Sequence, residues 1–356
     1  MRAIAALLIV AYHIAVLSGA AGYGWARDFT YHLNVGVPIF FAISGFVLYR
    51  PFLAARHGAP GRSVGRYARN RFLRIAPAYW VAITLAAIYP QFSGIFTGDW
   101  WWYFGLLQAY SPPRALLGLP VAWTLCIEVS FYILLPFYAM AMARLAGTGR
   151  HWLRTELAVL GVLALASAFS WGVVGQLTTI VITFIWFTVG MALAALSVAG
   201  LRLRVRSELL WAAVIPAYAL LCVLIRPDHA FSLGAVAGYA VVNVLSAVIA
   251  ALVVIPAVLG GSGLAQRVLS WRWLSWLGLV SYGIYLYHLP VLRGAEKLGW
   301  NDLIPGQVVL SYAVVGIPVT IAFAAASFYL IERPALSLRL ARRAPIPAPA
   351  AERAQV

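Results

Sequence analysis

The chain has 356 residues, of which 63% are hydrophobic and only 10% charged, and its mean hydropathy is +0.88. Soluble chains carry about a quarter charged residues, so a soluble enzyme or binding module is excluded and a polytopic membrane protein remains. The net charge of +16 rests almost wholly on arginine, Lys297 being the sole lysine. The arginines lie between apolar runs, which is a positive-inside pattern and not a nucleic-acid surface.

About 20 residues are needed to cross the hydrocarbon core, and on that measure ten spans are expected: 2–20, 33–53, 75–97, 121–143, 156–175, 177–199, 209–226, 231–259, 274–294 and 307–331. The first span, Met1-Arg2-Ala-Ile-Ala-Ala-Leu-Leu-Ile-Val-Ala-Tyr-His13, is apolar apart from Arg2 and His13. Eleven residues separate the two, which is three turns plus about 20°, so they share one stripe roughly 16 Å apart along the axis. Intramembrane ionisable groups usually face a bundle interior or a water-filled cavity. A topology anchor plus a hydrogen-bonded core histidine is the alternative for this pair.

The loop after span two carries Arg50, Arg56, Arg62, Arg66, Arg69, Arg71 and Arg74. With Arg2, the other even-numbered loops and the tail, 21 of the 26 cationic residues fall on one side. Both termini are therefore expected in the cytoplasm. Arg71 and Arg74 are three apart and share a helix face, and guanidinium forks suit phosphate. Simple positive-inside anchoring also accounts for some of these arginines.

Between spans three and four, Asp99-Trp-Trp-Trp-Tyr-Phe-Gly-Leu-Leu-Gln-Ala-Tyr110 is apolar but too short to cross. Its tryptophans suit an interfacial belt, the favoured reading over a re-entrant helix roofing a cavity. Span four contains Trp123-Thr-Leu-Cys-Ile-Glu128, whose carboxylate is taken as the only acidic group inside a span. Such a group must be protonated, paired or facing water. Span nine holds Ser281-Tyr282-Gly-Ile-Tyr285-Leu-Tyr287-His288, and span ten closes on Glu332-Arg333-Pro334, a helix end paired with a loop arginine on the simplest reading. Cys126 and Cys222 read as small hydrophobes, with no disulfide framework and no metal motif. The tail from Ala344 lacks a helical pattern and is expected to be disordered.

Counting residues from the expected span ends puts His13, Glu128 and His288 at one level in the outer half of the membrane. Arg2, Arg71 and Arg74 share the inner edge. The expected site is two-ended, with anion-binding groups below and acid–base groups above.

These motifs, in this order, resemble the acyltransferase-3 family of integral membrane O-acyltransferases. The resemblance rests on Arg2-(ten residues)-His13, Val37-Pro-Ile-Phe-Phe-Ala-Ile-Ser44-Gly45-Phe46, Arg71-Phe-Leu-Arg74-Ile-Ala-Pro-Ala-Tyr79-Trp80, Trp123-Thr-Leu-Cys-Ile-Glu128, Ser281 to His288 and Glu332-Arg-Pro334. It implies an all-α, ten-span enzyme of the bacterial plasma membrane, spanning residues 1–334, with a cytoplasmic tail at 335–356. It also implies transfer from a cytoplasmic acyl-coenzyme A, most simply acetyl-coenzyme A, to a hydroxyl of a carbohydrate, glycolipid or glycosylated metabolite. No metal and no nucleic acid are implied. The family's functional positions carry over to His13, Arg2, Arg71, Arg74 and Glu128. The chain departs from the family in that Met1 immediately precedes Arg2 where a short polar lead is usual. The expectation from its end is that it lacks the hydrolase-like domain some relatives append.

Thioester transfer to an alcohol needs a base, an oxyanion stabiliser and a grip on the coenzyme. His13 is the candidate base, and Glu128 either orients its imidazolium, as a carboxylate does in a triad, or binds sugar hydroxyls. Arg2, Arg71 and Arg74 are the candidates for the coenzyme phosphates. Asn34, Ser44, Tyr285 and His288 are further candidates for contacting substrate. The rival classes are a proton-coupled transporter or lipid-linked glycan flippase, although no inverted repeat is visible, and a sensor without catalysis.

Overall fold

The computed structural model describes residues 1–20, 24–61, 63–171, 179–225, 235–260 and 263–338. Among them the regular elements are all helices and there is no strand. Helix α1 (Arg2–Leu17) leads through α2 (Gly24–Tyr31) and a 3-10 turn (His32–Val35) into α3 (Gly36–Arg56). Then come α4 (Val64–Ile88), the short α5 (Trp100–Phe104), α6 (Trp123–Leu145), α7 (Trp152–Phe169), α8 (Ile180–Val198) and α9 (Ser207–Leu224). The order ends with α10 (Ala235–Val258), α11 (Leu264–Ser270), α12 (Arg272–Lys297) and α13 (Val308–Ser327), which continues through a π-helical turn (Phe328–Glu332) into α14 (Arg333–Ser337).

Each of the ten expected spans corresponds to a helix. Among the described residues eight helices are long and apolar enough to cross a membrane. Helix α1 has only 16 residues, and α12, rich in Ser, Tyr and Trp, is less apolar than the eight. Residues 172–178 and 226–234, where spans five to eight were expected to end and begin, lie outside the described residues, as does the tail beyond Leu338.

Three boundaries differ from expectation for identifiable reasons. Helix α4 starts at Val64, capped by Ser63, whose Oγ accepts from the Arg66 amide at 3.3 Å. The arginines from Arg66 to Arg74 are therefore helical and not a loop. The same helix stops at Ile88, because Pro90 disfavours helical geometry in the residue before it. Helix α7 begins at Trp152, so Glu156 lies inside it with no exposed surface. Glu128 is thus not the only acidic group within a span.

Asp99–Tyr110 is re-entrant and not a plain interfacial anchor. Tyr79 Oη donates to the Tyr103 carbonyl at 2.6 Å and Trp80 Nε1 to the Phe104 carbonyl at 3.0 Å. Tyr79 lies nine residues before the outer end of α4, so α5 sits roughly 13 Å below that end. Tyr110 goes deeper still and shares a hydrogen bond with Ser130, two turns into α6. Lipid offers these backbone groups no partners, and the tyrosine and tryptophan of α4 supply them. The returning strand of the loop is clamped by Arg114, whose Nε and Nη2 reach Asp99 at 3.0 and 3.1 Å beneath the Trp102 ring.

The bundle is tightest where glycines remove side chains. A Cβ on Gly190 would lie 1.9 Å from the Ala42 carbonyl oxygen, and one on Gly45 would lie 2.3 Å from that of Phe187. Helices α3 and α8 therefore touch backbone to backbone, the small-residue packing that drives helix association in lipid. Phe187 completes the contact, stacked between Phe41 and Phe131 at ring distances of 4.5 and 4.1 Å. Gly190→Ala is expected to force the two helices apart and cost about 1–3 kcal/mol, seen as a lower unfolding temperature in detergent. An unchanged unfolding temperature would count against this packing.

Helix α1 runs through the centre. Its small face, with Ala3, Ala5 and Ala6 almost fully buried, packs against α3 on one side and α12 on the other. A side chain on α1 therefore reaches the middle of the bundle at either end.

Candidate functional site

At the outer end of α1, His13 lies one turn before Leu17, roughly 6 Å below the end of the helix, and it is only partly buried. Across from it, His288 of α12 is completely buried. The two imidazoles meet: His288 Nε2 is 3.1 Å from His13 Nδ1, with ring centres 4.8 Å apart. The protons follow from the neighbours. His288 Nδ1 faces the Tyr285 carbonyl at 2.7 Å and the Ile284 carbonyl at 3.2 Å, so it carries the hydrogen. Its Nε2 is then a lone-pair acceptor. His13 Nδ1 also faces the Ile9 carbonyl at 3.0 Å, so it too is protonated and donates to both neighbours. With both rings neutral, any other assignment sets a lone pair against a carbonyl oxygen, so a neutral His13 has its lone pair on Nε2.

At the inner end, Arg2 starts α1 and its guanidinium lies 5.8 Å from the centre of the Phe40 ring. Arg71 and Arg74 arrive on the first turns of α4, stacked over Tyr132 and Tyr282, each at 5.8 Å. Glu332 is 3.6 Å from Arg74 and almost entirely buried. The π-helical turn that ends α13 carries it there, and such turns recur at functional sites. The sequence reading of Glu332 as a helix end paired with an arginine thus finds its partner in Arg74. Arg69 bonds the Leu338 carbonyl, so the start of α1, the basic turns of α4 and the last helix all share one end of the bundle.

Glu128 does not join the imidazoles. It accepts from Ser44 Oγ at 2.8 Å and lines a small cavity together with Arg2, Phe40, Ser281, Tyr282 and Tyr285. The reason is the re-entrant loop. Because that loop folds inward, α6 begins inside the bundle: Thr124 Oγ1 is 2.6 Å from Tyr285 Oη, at a level below His288. Glu128 is a further turn inward, about 6 Å. The expected common level for three titratable groups therefore holds for His13 and His288 and fails for Glu128, which belongs with Arg2.

The other candidates separate in the same way. Ser44 is engaged by Glu128 and is not next to the imidazoles. Tyr285 donates to the Val121 carbonyl at 2.7 Å, and its ring centre is 5.8 Å from that of His288 and 6.1 Å from that of Phe40. It stands between the two ends. Asn34 is exposed on the 3-10 turn before α3.

Three cavities bear on access. The one shared by Arg2, Glu128 and Tyr285 is about 30 Å³, room for about one water. Phe40, Tyr282 and Tyr285 line it. Arg71 also lines a cavity of about 160 Å³ between α3 and α4, with Pro51, Phe52 and Tyr67, and an apolar groove of about 570 Å³ between α4 and α6. Arg71 Nε, Tyr67 Oη and Arg2 Nε are buried and make no hydrogen bond within the protein. These atoms suit an anion entering from that end. Among the described residues no cluster of three or more His, Cys, Asp or Glu side chains suits a metal, and neither cysteine is bonded to the other.

Two features were missed in the sequence. The pairing of His13 with His288 needed the lateral neighbours of α1, although their common depth was visible. Glu156 is bonded by Tyr49 at 2.5 Å, Tyr138 at 2.9 Å and Arg56 at 2.7 Å. A helix start placed four residues too late concealed it.

Comparison with known proteins supplies the family. The chain is 26% identical to a putative peptidoglycan O-acetyltransferase of Bacillus subtilis and 23% identical to a peptidoglycan O-acetyltransferase of Listeria monocytogenes. It is 21% identical to an O-acetyltransferase of Staphylococcus aureus. Each alignment covers 94% of this chain and 54–56% of the relative, so the chain spans about half the length of the curated relatives it matches. No solved structure matches it. The acyltransferase-domain family profile matches residues 1–329, and the chain therefore belongs to the acyltransferase-3 family.

Proposed function

We propose that this protein is a multi-pass O-acyltransferase of the bacterial plasma membrane that moves an acetyl group from a cytoplasmic acyl-coenzyme A to a hydroxyl of a carbohydrate acceptor. In this reading the arginine-rich end, including both termini, faces the cytoplasm. One observation carries the reading: α1 bears Arg2 and His13 roughly 16 Å apart, and each is completed by other helices into a distinct site. The family supports acyl transfer. The relatives named for peptidoglycan O-acetylation support a glycan acceptor.

Arg71 and Arg74, with Arg2 behind them, hold the donor's phosphates, and the buried Arg71 Nε and Tyr67 Oη supply further donors. The pantetheine arm runs along α1 once Phe40 and Tyr285 swing aside. At the outer end, His13 Nε2 takes the proton of the acceptor hydroxyl as its oxygen attacks the thioester carbonyl. The C–O bond forms, the tetrahedral oxyanion collapses, the C–S bond breaks and the imidazolium returns its proton to the departing thiolate. A direct transfer in a ternary complex is the simplest form of this chemistry. Glu128, held by Ser44, balances the charge of Arg2 and is not placed to orient His13.

The test is free-thiol release from acetyl-coenzyme A by the protein in nanodiscs, with and without peptidoglycan fragments or simple glycosides. Acceptor-dependent release is expected. Absence of both release and coenzyme binding by calorimetry would overturn the reading and bring the transporter forward. Arg71→Ala is expected to raise KM for the donor by about tenfold or more, with a smaller effect on kcat. An unchanged KM would remove Arg71 from the donor site.

A further inference from the structure

We infer that His288 is the positioning residue for His13, and that the two imidazoles act as a dyad in which the second ring does what a carboxylate does in a hydrolase triad. The inference rests on the proposed reaction, but its geometric part stands apart from it.

The bonding is over-determined. Three backbone carbonyls, those of Ile9, Ile284 and Tyr285, face the two Nδ1 atoms, and His13 Nδ1 also meets His288 Nε2, through which the imidazoles contact each other. His288 is fully buried against α1, its nearby hydroxyl-bearing neighbour Tyr285 is committed to Val121 and Thr124, and among the described residues no carboxylate hydrogen-bonds to the pair. The Ile9 carbonyl also serves the helix, lying one turn before His13 on the same strand of hydrogen bonds. His288 Nε2 is therefore the acceptor that His13 Nδ1–H has to itself.

Two consequences follow. The bond turns the His13 ring so that Nε2, the atom with the lone pair, points away from α12. When Nε2 takes the acceptor's proton, the bond from Nδ1–H to His288 becomes charge-assisted and strengthens. That gain is made mainly in the transition state, so it acts on kcat and not on substrate binding. A neutral partner is suited to this place, because a permanent carboxylate at the same depth in lipid carries a large desolvation cost that an imidazole avoids. Net proton transfer to His288 is not required. The ring accepts a hydrogen bond at Nε2 and keeps its own proton on Nδ1, donated to the Tyr285 carbonyl.

The experiment compares His288→Leu, which fills the space without an acceptor, with His288→Gln, whose amide oxygen can occupy the Nε2 position. Both are assayed for acetyl-coenzyme A turnover in nanodiscs alongside 15N–15N correlation spectra of 15N-histidine-labelled protein. The wild type is expected to show one correlation between a protonated Nδ1 and an unprotonated Nε2, assigned by its loss in His13→Asn. The leucine variant is expected to lose about 100-fold in kcat with KM for the donor within about twofold. The glutamine variant should recover at least tenfold of that loss at equal thermal stability. Absence of the correlation in the wild type overturns the dyad whatever the activity. Equal loss in both variants, tracking their unfolding temperatures, also overturns it and leaves a packing role. Failure of the proposed reaction would show differently, as a correlation that is present in a protein without turnover.

Discussion

Replacing His13 by alanine is expected to lower acceptor-dependent thiol release by about 10²–10⁴-fold, the usual worth of a positioned general base. The loss should fall on kcat, with coenzyme binding by calorimetry within about twofold of wild type. The separation of the two effects follows from geometry: the arginines proposed to hold the donor gather at the other end of α1, where Arg2 lies roughly 16 Å from His13 along the axis. No hydrogen bond or ion pair links His13 to Arg2, Arg71 or Arg74 among the described residues. If the variant turned over at the wild-type rate, the proposed chemistry would lose its base, and a carrier or sensor role would have to be considered. If binding vanished as well, the two ends would not be independent sites.

The largest effect on stability is expected at Glu156. Its carboxylate is fully buried and receives Tyr49, Tyr138 and Arg56, whose side chain is itself only 8% exposed. Glu156→Ala strands a buried guanidinium and two hydroxyls. Breaking a buried pair from one side costs about 3–5 kcal/mol, so a marked fall in the unfolding temperature in detergent is expected. Glu156→Gln keeps an acceptor for the hydroxyls and should lose clearly less. Equal behaviour of the two variants would mean that the charge and its bonds contribute little. The cluster ties α3, α6 and α7 together and uses none of the residues assigned to donor or acceptor, so activity measured well below the transition should survive in both variants.

The sequence was a good guide wherever the solvent dictates the answer. A chain in lipid must satisfy its backbone internally and present apolar side chains, so long apolar runs marked the helices in order. Ionisable residues inside such runs are expensive, which is why Arg2, His13, Glu128 and His288 stood out. Counting residues along rigid helices then matched His13 to His288 in depth, and the structure brings them to 3.1 Å. The same counting failed for Glu128, because it assumes that each helix starts at the membrane face. The loop before α6 folds back into the bundle, held by Tyr79, Trp80 and Ser130, and nothing in the apolar run Trp100 to Leu107 distinguishes a segment lying on the interface from one dipping below it.

By itself, the sequence determined that this protein is a helical membrane bundle, the order of its helices, the end on which its arginines collect, and the few polar side chains available for chemistry. The tertiary structure decided which of those side chains meet: His288 beside His13, Ser44 on Glu128, Glu332 on Arg74, and Arg56 with two tyrosines on Glu156. The physical reason is that helices apolar on every side carry almost no pattern saying which face meets which neighbour. That choice is made by backbone contact at glycines such as Gly45 and Gly190, by where loops re-enter, and by the need of each buried polar group to find a partner.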